Sequence, residues 1–138
     1  MRSACLRVLL LIALSGAAAV WAATPCEGLA SLRFPDATIT AAESIAASAA
    51  VPVHCRVAMV LKPSPDSHIE MEVWLPAGDW NGKFQAVGNG GWAGSISRPA
   101  MTAALRENYA TASTDTGHKS EETPGGSFAL GHSEEHRD

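Results

Sequence analysis

The hydrophobic pattern of the chain is most regular over residues 68–76, where every second position is apolar. The apolar side chains share one side of an extended strand, and two glutamates share the other: Ile69, Met71, Val73 and Leu75, then Glu70 and Glu72. An apolar run over residues 55–61 precedes this segment, and turn-forming residues separate the two. The pattern predicts an antiparallel hairpin whose second strand lies near a sheet edge, with one face buried and the other in water.

The segment before this hairpin has a different character. Residues 41–47 are rich in alanine and follow Thr38 and Thr40, either of which suits a helix N-cap. A helix so rich in alanine has little to bury. The sequence therefore predicts a short, peripheral helix here.

After the hairpin, a strand is predicted over residues 83–87, a helix over residues 99–106 and a strand over residues 109–114. A strand–helix–strand unit normally closes right-handed into a parallel pair. From Thr116 onward the chain is polar and rich in glycine, with no further core-forming run. The order predicts an α/β fold, specifically the opening of an α/β sheet whose remaining strands are missing.

Composition and the N-terminus narrow the class of protein. The chain has 138 residues and a formal net charge of -4, with no basic stripe that would meet nucleic-acid phosphates. Residues 1–22 have the pattern of a secretory signal: Arg2 and Arg7, an apolar core, and a small-residue cleavage site ending at Ala22. The alternative, an uncleaved membrane anchor, is disfavoured because the apolar core is shorter than a bilayer span. We expect a secreted or periplasmic protein, with no membrane contact after cleavage, formed by residues 23–138.

Two cysteines, Cys26 and Cys55, remain once the signal and its Cys5 are removed. In an oxidising compartment such a pair predicts a disulfide. The alternative is a metal half-site that also uses His54, but a zinc site ordinarily needs a second close pair of ligands. No metal site is therefore predicted.

The glycine-rich stretch GNGGWAG, residues 88–94, follows the third predicted strand. Three interpretations are open: a phosphate site, an ester oxyanion site, or a tight structural turn. The stretch fits G-x-G-x-x-A, and Asp115 stands where a ribose-binding acid is expected in a dinucleotide-binding unit. Against this, residues 94–98 separate the glycines from the helix, so a pyrophosphate would not reach its N-terminus. For an oxyanion, the main-chain N–H groups of Gly90 and Gly91 are the candidate donors.

The stretches DWNGKFQAVGNGGWAG and YATASTDTGH, with Cys26 and Cys55, resemble the tannase and feruloyl esterase family. This family of secreted serine esterases includes a mono(hydroxyethyl) terephthalate hydrolase, and the resemblance extends over about residues 26–132. It implies part of an α/β-hydrolase fold, a large lid, and hydrolysis of aromatic-acid esters by a Ser-His-Asp triad. The glycine stretch then corresponds to the oxyanion loop, and the cysteines to an N-terminal disulfide.

The resemblance leaves other roles unassigned. We expect Asp115 and His118 to pin a loop by hydrogen bonds; the alternative is a functional role near the site, and Trp92 is a further candidate to lie there. A small exported binding module is a further interpretation of the chain.

The C-terminal segment contains His132 and His136 with nearby glutamates. We expect it to be a solvated tail rather than a metal site.

The catalytic residues of the family have no counterpart here. Its nucleophile lies in a Cys-Ser-x-Gly-Gly elbow, expected beyond Asp138, and its acid and histidine come later still. Neither Ser127 nor Ser133 is followed two positions on by the glycine that a G-x-S-x-G elbow requires. The calcium-binding lid is also expected outside this chain, so no cofactor is predicted within it. We expect the isolated chain to be inactive toward the small aromatic esters that the whole enzyme would take.

Overall fold

A computed structural model describes residues 24–119 and 125–131, which form a mixed five-stranded sheet with one α-helix on one face. The strands are β1 (Ala37–Ile45), β2 (His54–Leu61), β3 (Ile69–Pro76), β4 (Phe84–Ala86) and β5 (Ala110–Thr114), and helix α1 (Arg98–Arg106) connects β4 to β5. Short 3-10 helices occupy Cys26–Ser31 and Ser127–Ala129. Within residues 24–119 and 125–131, no helix is long and apolar enough to cross a bilayer.

Three of the sequence predictions fall outside the described residues. They are the signal over residues 1–22, the solvated tail with His132 and His136, and the position of the catalytic residues beyond Asp138. Asp138 itself is not among the described residues, so the structure does not test where the nucleophile, the acid and the histidine lie. All three therefore stay predictions.

The spatial order of the strands is β1-β2-β3-β5-β4. The predicted hairpin is confirmed: β2 and β3 pair antiparallel, with Val57 opposite Val73. The predicted strand–helix–strand unit is confirmed as well, since β4 runs parallel to β5 with Gln85 opposite Thr111. The chain therefore crosses over through α1, and this places the ends of β4 and β5 side by side.

The helix predicted over residues 41–47 is wrong. Those residues lie in or directly after β1, whose register with β2 runs from Ala37 opposite Leu61 to Ile45 opposite His54, with an irregularity after Ile39. Main-chain pairing with β2 outweighs the helix preference of alanine, because propensity yields to tertiary context. The small side chains also leave room for the 3-10 helix Cys26–Ser31, which contacts β1.

The edge position predicted for β3 is also wrong, and its predicted wet face is wrong at Glu72, although Glu70 stays partly exposed. β3 lies between β2 and β5, so both of its edges are paired. Helix α1 packs on the face that carries Glu72 and Trp74, and both residues are buried there. The alternation correctly indicated a strand, but two glutamates did not reveal that a helix covers their side of the sheet.

The disulfide between Cys26 and Cys55 is confirmed, with Cα atoms 5.6 Å apart. It ties the N-terminal 3-10 helix to β2. The metal half-site is therefore wrong, because both sulfurs are bonded to each other. His54 has a structural role instead: it is buried, and its Nδ1–H donates to the Pro52 carbonyl at 2.8 Å.

The core between sheet and helix is small and centres on Trp74, Met101 and Leu105. One prediction about the tail needs correction, because Phe128 of the second 3-10 helix is buried. Its ring lies against the rings of Trp92 and His118. The polar tail thus returns to cover the region beyond the ends of β4 and β5.

Candidate functional site

The glycine loop, residues 88–94, begins just after β4 ends and lies beside the segment that follows β5. In open α/β sheets the crevice outside the carboxyl ends of parallel strands is where ligands bind. The loop contains a turn in which the Ala93 N–H donates to the Gly90 carbonyl at 3.2 Å. Gly91 has a φ of 57°, in the left-handed region that glycine adopts without strain. The turn therefore explains the glycine at position 91.

The notable feature of this loop is a row of three consecutive main-chain donors, the N–H groups of Asn89, Gly90 and Gly91. Across residues 24–119 and 125–131, none of the three donates to a protein acceptor. Gly90 and Gly91 are exposed, and a Cβ built on either would meet no atom within 4 Å. The donors at Gly90 and Gly91 thus stand beside open space, where a small acceptor atom is able to approach the backbone.

The loop is fastened to the chain that follows β5 at two places. The Asn89 side chain donates from Nδ2 to the Thr114 carbonyl at 3.0 Å. At the other end, His118 Nε2 lies 2.9 Å from the Trp92 carbonyl oxygen. A carbonyl only accepts, so the imidazole proton is on Nε2. These two hydrogen bonds flank the residues whose N–H groups are open.

His118 is buried, and two neighbours fix its ring. The ring of Phe128 stacks on it with centroids 3.8 Å apart and planes 6° from parallel. Gly94 lies against it from the other direction: a Cβ there would overlap the His118 carbonyl oxygen and come within 2.7 Å of Cδ2. Close packing against His118 therefore requires glycine at position 94, whereas Gly88 and Gly90 have open space around them.

Asp115 is buried, and its carboxylate accepts hydrogen bonds from the main chain. Its Oδ1 accepts hydrogen bonds from the Glu70 N–H at 2.9 Å and the Gly117 N–H at 3.0 Å. Lys119 Nζ lies 3.6 Å from Asp115 Oδ2 and 2.8 Å from Glu70 Oε2. The Asp115 carboxylate is thus engaged with the chain itself, which argues against the ribose-binding role considered for a dinucleotide site. Helix α1 also begins at Arg98, well after the glycines.

Trp92 is the large aromatic residue of the glycine loop. Its side chain is exposed, and its ring meets Phe128 at 60° with centroids 5.9 Å apart. Such a tilted arrangement is favourable for aromatic pairs. Trp92, Phe128 and His118 therefore form one aromatic cluster that joins the glycine loop to the segments after β5. The sequence placed Trp92 and His118 near the site, but it gave no reason to include Phe128.

A charged cluster that sequence reasoning missed lies at the start of α1, after the glycine loop. Glu72 accepts from Arg56 at 2.8 Å and from Arg98 at 2.7 Å on Oε1, and from Trp74 Nε1 at 2.8 Å on Oε2. Burial raises the pKa of Glu72, but the hydrogen bonds from Arg56, Arg98 and Trp74 outweigh it and lower that pKa to about 2. Because Arg98 is the first residue of α1, Glu72 attaches the start of the helix to the sheet.

No group of three histidine, cysteine, aspartate or glutamate side chains in the described part of the chain is arranged to hold a metal ion. A polar pocket of about 220 Å³ lies between Gly94, Arg98 and Asp115. The charges around it are already paired, Arg98 with Glu72 and Lys119 with Glu70. The glycine loop, by contrast, has open main-chain donors at Gly90 and Gly91.

Comparisons with known proteins identify the family of the chain. The sequence profile of the family "Tannase and feruloyl esterase" matches residues 55–138. An uncharacterised esterase of Xanthomonas campestris pv. campestris is 39% identical over 121 residues, covering 80% of this chain and 21% of the relative. A probable feruloyl esterase B-1 of Aspergillus terreus is 44% identical over 64 residues, covering 46% of this chain and 12% of the relative.

The crystal structure of feruloyl esterase B from Aspergillus oryzae superposes with a TM-score of 0.59 at 29% identity, covering 68% of this chain and 21% of that structure. The chain thus has part of an α/β-hydrolase fold, similar to that of this esterase. The chain belongs to the tannase and feruloyl esterase family. It spans 21% of the length of the Xanthomonas relative, so the described site is one part of what such a protein contains.

Proposed function

We propose that this chain supplies the first strands and one side of the oxyanion hole of a secreted serine esterase that cleaves esters of aromatic carboxylic acids. The observation that carries the proposal is the pair of open N–H groups at Gly90 and Gly91, in the loop after β4. When an ester carbonyl is attacked, its oxygen becomes negative, and N–H groups fixed in advance stabilise that charge. Removing one such donor typically lowers kcat by about 10²–10³-fold.

The remaining catalytic groups are supplied by the complete protein. A serine attacks the ester carbonyl, a histidine takes its proton, and the alcohol leaves as the acyl-enzyme forms. Water then releases the aromatic acid by the same steps. We propose that the serine, the histidine and the acid follow Asp138 in the complete protein, because the chain spans only 21% of its Xanthomonas relative. The aromatic-acid substrate class rests on the names of the feruloyl esterase relatives.

Export is part of the proposal, and the disulfide supports it. Structural disulfides persist in oxidising compartments and are rare in the cytosol. The pair Cys26–Cys55 bridges 29 positions and joins two elements of the fold. Such a bond suits a protein that works outside the cytoplasm.

The test compares two purified polypeptides: the 138-residue chain and the product of the uninterrupted genomic reading frame that contains it. We expect the longer product to hydrolyse methyl ferulate or methyl gallate and to be labelled by a fluorophosphonate at a serine after Asp138. We expect the 138-residue chain to do neither. Ester hydrolysis by the short chain alone, or none by a folded longer product, would overturn the proposal.

A further inference from the structure

His118 contacts the glycine loop without facing the open space in front of it. The side chain is buried, and its Nε2–H donates to the Trp92 carbonyl at 2.9 Å. That carbonyl lies one residue after the open donors at Gly90 and Gly91. The Trp92 carbonyl shares a planar peptide unit with the Ala93 N–H, which donates to the Gly90 carbonyl at 3.2 Å, and that carbonyl shares a planar unit with the Gly91 N–H. A fixed Trp92 carbonyl therefore limits how far the Gly91 N–H is able to turn.

The ring of His118 is itself held firmly enough to act in this way. Phe128 stacks on one face at 3.8 Å, and Gly94 packs closely against the residue. The Nδ1 atom lies 3.4 Å from Thr116 Oγ1, and that hydroxyl donates its shorter bond, of 2.7 Å, to the Asp115 carbonyl. A ring flip would put a carbon in place of Nε2 and so break the hydrogen bond to the Trp92 carbonyl.

The opposite end of the loop is fixed to the same segment. Asn89 Nδ2 donates to the Thr114 carbonyl at 3.0 Å, four residues before His118. The two hydrogen bonds thus lie on either side of Gly90 and Gly91 and attach the loop to the segment after β5. β5 is buried along its first four residues, so this segment continues from a well-packed strand.

We propose that His118 is a positioning residue for the oxyanion loop, acting through the Trp92 carbonyl to orient the N–H groups of Gly90 and Gly91. This role rests on the proposed function, and His118 itself never touches the substrate. The histidine is needed for its donor at Nε2, not only for its volume. A buried histidine kept for packing alone would be replaceable by an aromatic residue of similar shape.

Two variants separate the effect of the Nε2 hydrogen-bond donor from the effect of the side-chain volume. His118→Phe keeps a flat ring against Phe128 and removes the donor, whereas His118→Gln places an amide N–H near the position of Nε2 and removes the ring. In the 138-residue chain, ¹⁵N relaxation and amide exchange report the order of Gly90 and Gly91, while thermal unfolding reports overall stability. We expect increased motion at both glycines in His118→Phe and wild-type behaviour in His118→Gln.

The same variants in the longer reading-frame product connect loop order to the reaction. We expect His118→Phe to lower kcat for methyl ferulate about tenfold to hundredfold with little change in KM, and His118→Gln to recover most of it, because small misplacements of catalytic donors cost about that much. Unchanged glycine signals in a folded His118→Phe chain, or equal defects in both variants, would overturn the positioning role. If the longer wild-type product lacks esterase activity while the relaxation results are as expected, the proposed function fails and the loop-positioning role stands.

Discussion

Replacing Glu72 by glutamine tests how the start of helix α1 is held to the sheet. The Glu72 side chain is 2% exposed, whereas the side chains of its partners Arg56 and Arg98 are 28% and 60% exposed. Glutamine keeps the shape and one acceptor oxygen but removes the charge that both guanidinium groups face. The variant therefore isolates the electrostatic contribution of the buried carboxylate.

The pKa of Glu72 gives the size of that contribution. Its pKa is lowered from 4.5 to about 2, and a group whose pKa is depressed by folding stabilises the folded state above its unfolded pKa. At about 1.36 kcal/mol for each pKa unit, the full effect is about 3 kcal/mol. Because Arg98 is mostly in solvent, which screens its charge, we expect about 2 kcal/mol for Glu72→Gln at about pH 7. The stabilisation is present above the unfolded pKa of 4.5 and disappears as the pH falls toward about 2.

The assay is urea unfolding of the 138-residue chain and its variant at about pH 7 and about pH 2.5. We expect the difference in free energy of unfolding to be about 2 kcal/mol at neutral pH and to shrink by more than half at the lower pH. Glu43→Gln is the matched control, because Glu43 contacts the same Arg56 at 3.2 Å but its side chain is 55% exposed. A surface pair of that kind contributes about 0–1 kcal/mol. A pH-independent difference, or an equal cost in Glu43→Gln, would refute the reasoning.

Two further predictions concern packing and cross-linking. Gly94→Ala places a methyl group onto the His118 carbonyl, so we expect a loss of about 1–3 kcal/mol and a clearly lower thermal midpoint. Gly90→Ala, where the added Cβ meets nothing within 4 Å, should cost less than about 0.5 kcal/mol; equal midpoints for the two variants would contradict the packing described here. Reduction of the Cys26–Cys55 bond should lower the free energy of unfolding by about 3 kcal/mol, judged by urea unfolding with and without dithiothreitol, and an unchanged midpoint would count against it.

The sequence was informative where a local pattern and the tertiary structure agree. The period-two run before Pro76 identified β3, and the proline at the start of α1 marked the helix within one residue. The strand–helix–strand order then predicted the parallel β4–β5 pair, because a helical crossover is the usual connection between parallel strands. The disulfide followed from counting cysteines once the signal was set aside.

The errors arose where distant segments decide the outcome. Alanines in β1 favour a helix locally, yet pairing with β2 makes them a strand. Glu72 alternates with apolar residues as an exposed residue would, yet α1 covers it and two arginines neutralise it. Neither arginine is near Glu72 in sequence, so no local pattern contained that information.

The candidate site was predicted in part. The glycine stretch, Asp115 and His118 were placed together because they follow adjacent parallel strands. Phe128 was missed because it lies in a polar, glycine-rich stretch and packs against the rings of Trp92 and His118, which are distant in sequence. The packing requirement at Gly94 was missed for a similar reason, since its close neighbour, His118, lies beyond β5.

The most direct test of the oxyanion proposal is a crystal structure of the longer reading-frame product after reaction with an aryl phosphonate. The phosphonate would bond to the catalytic serine, and one of its oxygens would stand where the ester oxyanion forms. The account predicts that this oxygen lies about 2.7–3.1 Å from the main-chain nitrogen of Gly90 or Gly91. An oxygen held by other donors, with both glycine N–H groups turned away from it, would contradict the account.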